Sequence, residues 1–72
     1  MTGFDRIRIR WPGLPGSTRC DRRVLSGGIA VCLHKDVWGW HWLCISPAGV
    51  VSGRADNRAA AQRAAVFAGE VR

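Results

Sequence analysis

Residues 38–68, W-G-W-H-W-L-C-I-S-P-A-G-V-V-S-G-R-A-D-N-R-A-A-A-Q-R-A-A-V-F-A, read as strand, tight turn, short strand and capped helix. Over 38–45, Trp38, Trp40, Trp42 and Cys44 share one face and Gly39, His41, Leu43 and Ile45 the other, the period of two that marks a strand. Ser46-Pro47-Ala48-Gly49 suits a type I turn. Val50-Val51-Ser52 predicts a short last strand, after which Gly53 lets the chain leave the sheet. Asp56 or Asn57 is the expected cap of a helix over residues 57–68. Its apolar stripe is Ala60, Ala64, Phe67 and Ala68, and Gly69 is a plausible stop. Large rings on a sheet and small residues on a helix are complementary shapes, so these two pieces are expected to form the core.

Working upstream, residues 24–34 read as a strand after Gly27-Gly28, a glycine pair read as a bulge or a bend, with Ile29, Val31 and Leu33 on one face and Ala30, Cys32 and His34 on the other. Lys35-Asp36-Val37 turns it into an antiparallel hairpin with the Trp strand. Residues 12–23, with two Pro and two Gly, read as a long loop. Residues 4–11 alternate, with Ile7, Ile9 and Trp11 inward and Arg6, Arg8 and Arg10 wet. The expected fold is α+β, one domain over 1–72: three to four antiparallel strands with one C-terminal helix on one face. The expected register puts Trp40 and Trp42 under the helix with Val31 and Leu33. The opposite face then stays open and shows Cys32, His34, His41, Leu43, Ile45 and the three strand-one arginines. A slip of one residue would exchange the Trp face.

Seventy-two residues bury a modest core, so a homodimer or a larger partner would add stabilising area. An apolar fraction of 47% is typical of a globular protein and argues against a disordered chain. The formal charge is +6, and Lys35 is the one lysine among eleven basic residues. Arginine suits bidentate contacts to phosphate or carboxylate, although genomic base composition alone can produce the same bias. Three cysteines, an odd number, argue against a disulfide framework. The N-terminus lacks the apolar run of a signal peptide, and no segment approaches a membrane span. The expected location is the cytoplasm.

The residues Trp40-x-Trp42-x-Cys44, Gly49-Val50-Val51, Gly53 and the following Ala-rich stretch resemble small YegP-like sheet-plus-helix domains. Those place a glycine turn seven residues after a strand Trp, as from Trp42 to Gly49 here. The resemblance covers about half the chain and implies a fold without a reaction. The spacing Gly53-x-Ala55-x5-Ala61-x3-Ala65 is similar to the end of double-stranded-RNA-binding domains. Only Arg54 and Arg58 stand where those carry a lysine cluster, and the order of elements departs from that fold.

For a metal site the ligands would come from Cys20, Cys32, Cys44, His34 and His41, yet their spacing is no finger pattern and contains no C-x-x-C. The cysteines read as small core residues, and neither metal nor cofactor is expected. Cys44 and His41 fall on opposite strand faces, the five acids are scattered, and no glycine-rich loop leads into a Lys-Ser/Thr helix. The chain is therefore read as a binding protein and not an enzyme. The binding residues singled out are Arg6, Arg8, Arg10, Arg19, Arg22, Arg23, His34, His41, Leu43 and Ile45. A basic, partly apolar sheet face would suit a host protein or nucleoprotein complex with an acidic surface. In size and style the chain resembles phage and prophage accessory inhibitors of the anti-CRISPR and anti-defence type. The alternative is a small basic nucleic-acid-binding protein, with the arginines along a phosphate backbone.

Overall fold

The structure, a computed structural model, describes residues 3–70. Strands β1 (Asp5–Ile9), β2 (Thr18–Leu25), β3 (Ile29–Asp36), β4 (Gly39–Ser46) and β5 (Gly49–Ala55) precede one helix, α1 (Arg58–Glu70). They form one antiparallel sheet in the order β1-β2-β3-β4-β5. The α+β class is as expected, but the sheet has five strands where three to four were predicted.

The extra strand lies in the stretch read as a loop. Residues 18–25 alternate, but Arg19, Asp21 and Arg23 occupy positions where a half-buried strand would carry apolar residues. The helix packs mainly on β3, β4 and β5, so the helix side of β2 is only partly covered: Arg19 is exposed, Asp21 and Arg23 are half-buried with their charges tolerated at the rim, and Leu25 packs on the core. Gly27 and Gly28, at φ 78° and 76°, close the β2–β3 hairpin in a single 3₁₀ turn instead of a bulge, and the strand expected after them is β3. At the β3–β4 turn, Asp36 Oδ1 accepts a 2.7 Å hydrogen bond from the Trp38 amide. Trp38 thus sits in the turn, outside β4.

Leu33 pairs with Trp42, Val31 with Cys44 and Lys35 with Trp40. Cross-strand partners share a face, so Trp40 and Trp42 lie on the helix side with Val31 and Leu33, in the expected register. Gly53 does not end the sheet. It pairs with Trp42 inside β5, and the indole lies directly over its α-carbon. The Asn57 side chain caps α1 by accepting from the Ala60 amide at 2.9 Å. The fully buried stripe is Ala61, Ala65 and Gly69; of the predicted Ala60, Ala64, Phe67 and Ala68, the three alanines are half-buried, Ala68 packing against the core, and Phe67 is 64% exposed. The reason is close approach. A Cβ on Gly69 would lie 3.0 Å from Ile29 Cγ2 and 3.3 Å from Cys44 Sγ, so only small residues fit that side.

The opposite sheet face is not open along its whole length. Trp11, just past β1, is buried against Cys20, Cys32 and Leu43, with Ile7 and Ile9 packed beside it. A bulky ring meets two small thiol side chains there, the same complementarity as under the helix. The other end of that face remains bare. Val24, Ala30, Ile45 and Val50 are successive cross-strand partners, and Val24 and Val50 are 65% and 55% exposed.

Candidate functional site

β1 pairs with β2 so that Arg8 faces Arg19 and Arg6 faces Asp21, and Asp21 in turn faces Leu33. Arg6, Arg8 and Arg19 therefore lie on the helix side of the sheet, at the edge the helix leaves bare. Lys35 continues this side on β3, next to Trp40. Arg10, exposed just past β1, extends the arginine alternation. The expected placement of the arginines beside Leu43 and Ile45 is corrected: those two lie on the other side of the sheet. The odd positions of β1, Ile7 and Ile9, point to the Trp11 side, which sends the even-numbered arginines to the helix side.

One acid interrupts the basic surface, and it is already engaged. Asp21 Oδ1 accepts from Arg6 Nε at 3.0 Å, and Oδ2 accepts from Arg58 Nη1 at 2.6 Å. The Arg58 guanidinium lies 5.0 Å from the Phe4 ring centroid and 5.6 Å from that of Trp40. This knot ties β1, β2 and β4 to the start of α1. Arg19, Lys35, Arg6 and Trp40 surround a cavity of about 210 Å3 beside it.

The other predicted residues are dispersed. Arg22 is half-buried on the Trp11 side, paired with Cys32, while Arg23 flanks a groove with Arg63 and Phe67. Leu43 is 2% exposed, so it cannot contact a partner. Ile45 belongs to the bare apolar row. His34 and His41 stack at 4.8 Å and 11°, and the Trp11 ring meets His34 edge-on at 4.4 Å. His41 Nε2 is 2.7 Å from Asp36 Oδ2.

Burial, followed by the neighbouring His41, holds the His34 pKa below the ordinary value of 6.5. The folded protein keeps His34 neutral where the unfolded chain would protonate it. Stability from this group is present above about pH 6.5 and is lost as pH falls through the lower folded value. The melting temperature should fall between about pH 7.5 and 5, and His34→Phe should flatten that fall. An unchanged slope in the variant would place the acid sensitivity elsewhere. Desolvation is the largest single influence on Asp36 and pushes it up, but the Trp38 amide and His41 together outweigh it and hold the carboxyl below its ordinary value, so it acts only at lower pH.

Burial, and after it the adjacent Cys20, pushes the Cys32 thiol up to about 12, and burial also raises Cys20. Both stay protonated at neutral pH and are poor nucleophiles and ligands. Cys44 lies on the helix side, across the sheet from His41. Among the described residues, no three His, Cys, Asp or Glu are grouped to hold a metal ion, and no helix is long and apolar enough to cross a membrane.

Three surface residues were not singled out in the sequence. Lys35 joins the basic row through the β3 register. Trp40 lines the cavity. Trp38 is 75% exposed at the β3–β4 tip, and its carbonyl accepts from Arg54 Nη2 at 3.4 Å. The signal for Trp38 was the Asp36-to-Gly39 turn, which takes it out of the strand alternation. Comparison with family models, curated proteins and solved structures finds no match to this chain.

Proposed function

We propose that the protein is a non-catalytic binding module for single-stranded nucleic acid, using the bare edge of the helix-side sheet face. The observation that carries this reading is the gathering of Arg6, Arg8, Arg19 and Lys35 on one uncovered surface whose single acid, Asp21, is already engaged. Like charges on neighbouring sites repel, and a polyanion relieves that repulsion. Trp38, at the tip of the hairpin that carries Lys35, offers a ring for a base to stack on. A strand surface fits a flexible single strand better than a duplex groove, because α1 has only Arg58 and Arg63 and Arg58 is held by Asp21.

Fluorescence anisotropy with a labelled single-stranded oligonucleotide tests the reading. Arg8→Glu with Arg19→Glu should lower affinity by more than about tenfold without lowering the melting temperature, since both side chains are exposed. Unchanged affinity in the folded variant would remove the basic row as the interface.

A second reading follows from the other face. The apolar row Val24, Ala30, Ile45 and Val50 is the kind of bare strip that docks a protein. This is how an inhibitor of the anti-defence type would act. The expected single face, both basic and apolar, is thereby divided between two sides of one sheet. Ile45→Glu should leave oligonucleotide affinity unchanged, which separates the two surfaces.

A further inference from the structure

The basic row lies open, but part of it is concave. Arg6, Arg19, Asp21, Leu33, Lys35 and Trp40 are among the residues lining the half-open cavity of about 210 Å3 on the helix side. Three cations face one carboxylate there. That carboxylate is 16% exposed and has both oxygens occupied, by Arg6 Nε at 3.0 Å and by Arg58 Nη1 at 2.6 Å. It therefore repels an incoming anion far less than a bare aspartate would. It also holds Arg6 in place through Nε, leaving the terminal guanidinium nitrogens for a ligand.

Resting on the nucleic-acid reading, we infer that this cavity is a subsite for a terminal phosphate monoester, the phosphorylated end of a strand. An internal phosphodiester carries one charge and runs along an open row such as Arg8 and Arg19. A terminal phosphate carries close to two charges near neutral pH and three outward oxygens, and it matches a concave site with three cations. Leu33 and Trp40 supply an apolar wall for the attached sugar and base. A free nucleotide shares this chemistry, and inorganic phosphate is its smallest probe.

The experiment compares three oligonucleotides of one sequence at constant ionic strength: 5′-phosphorylated, 3′-phosphorylated, and with hydroxyls at both ends. One phosphorylated form should bind at least about threefold tighter than the hydroxyl form. Lys35→Ala should bring that ratio to one, whereas Arg10→Ala should weaken all three forms alike and keep the ratio. Equal affinity of the three forms for the wild type would overturn the phosphate subsite and leave the basic interface standing. Suppose instead that no oligonucleotide binds, yet inorganic phosphate raises the melting temperature above that in chloride and Lys35→Ala abolishes the rise. The subsite would then stand and the nucleic-acid interface would fall.

Discussion

Trp42→Ala lowers the melting temperature by at least about 12 °C, at roughly 4 °C per kcal/mol for a domain of this size. The indole packs against the buried cluster of Val31, Cys44 and Ala65, beneath α1. Truncating a core aromatic costs about 3–5 kcal/mol, comparable to what the whole core of so small a domain supplies. Thermal melting followed by far-ultraviolet circular dichroism measures it. A wild-type melting temperature would mean that the ring is not part of the core.

The second large effect is Gly53→Ala. A Cβ there would stand 2.6 Å from Trp42 Cζ2, 2.7 Å from Cε2 and 2.8 Å from Nε1. These are ring atoms packed under a helix, so relief requires moving the indole and the residues around it. Overpacking of this kind costs about 1–3 kcal/mol, more than the roughly 0.4–1 kcal/mol an alanine gains through the unfolded state. The melting temperature should drop by about 10 °C. In a Trp42→Leu background the same change should be neutral or stabilising, because the clash has gone. Equal costs in both backgrounds would show that the ring and the glycine do not touch.

This Trp42–Gly53 contact shows how far the sequence could be read. Alternation placed Trp42 and Val31 on one face, and the period of two needs no tertiary information. It could not say that Gly53 stays in the sheet, because a glycine under a ring and a glycine ending a strand look alike. β2 was missed for a related reason. Burial writes the apolar pattern of a strand, and the helix side of β2 is only partly covered, because α1 lies mainly over β3, β4 and β5 and meets β2 through the Asp21–Arg58 pair and Leu25. The helix stripe was displaced because Phe67 looked like the natural core residue, whereas the close approach at Gly69 admits only small side chains on that side.

The candidate surface was legible in its charges and not in its neighbours. Arg6, Arg8 and Arg10 were correctly wet, since Ile7, Ile9 and Trp11 are the side that packs. Which face carried them depended on β1 pairing with β2, and β2 had been read as a loop. Trp11 was expected inside, but that it crosses onto Cys20, Cys32 and Leu43 depends on the chain path over residues 10–17. That path buries Leu43 and removes it from any partner surface.

The central claim is that the arginines of β1 and β2, with Lys35, form a phosphate-tracking surface. The most direct measurement is the salt dependence of single-stranded oligonucleotide affinity. With about four phosphates neutralised, log affinity should fall against log salt with a slope near −3, and Arg8→Glu with Arg19→Glu should flatten that slope while sharply weakening binding. Wild-type affinity indifferent to salt, or a folded double variant with the wild-type slope and affinity, would contradict the claim.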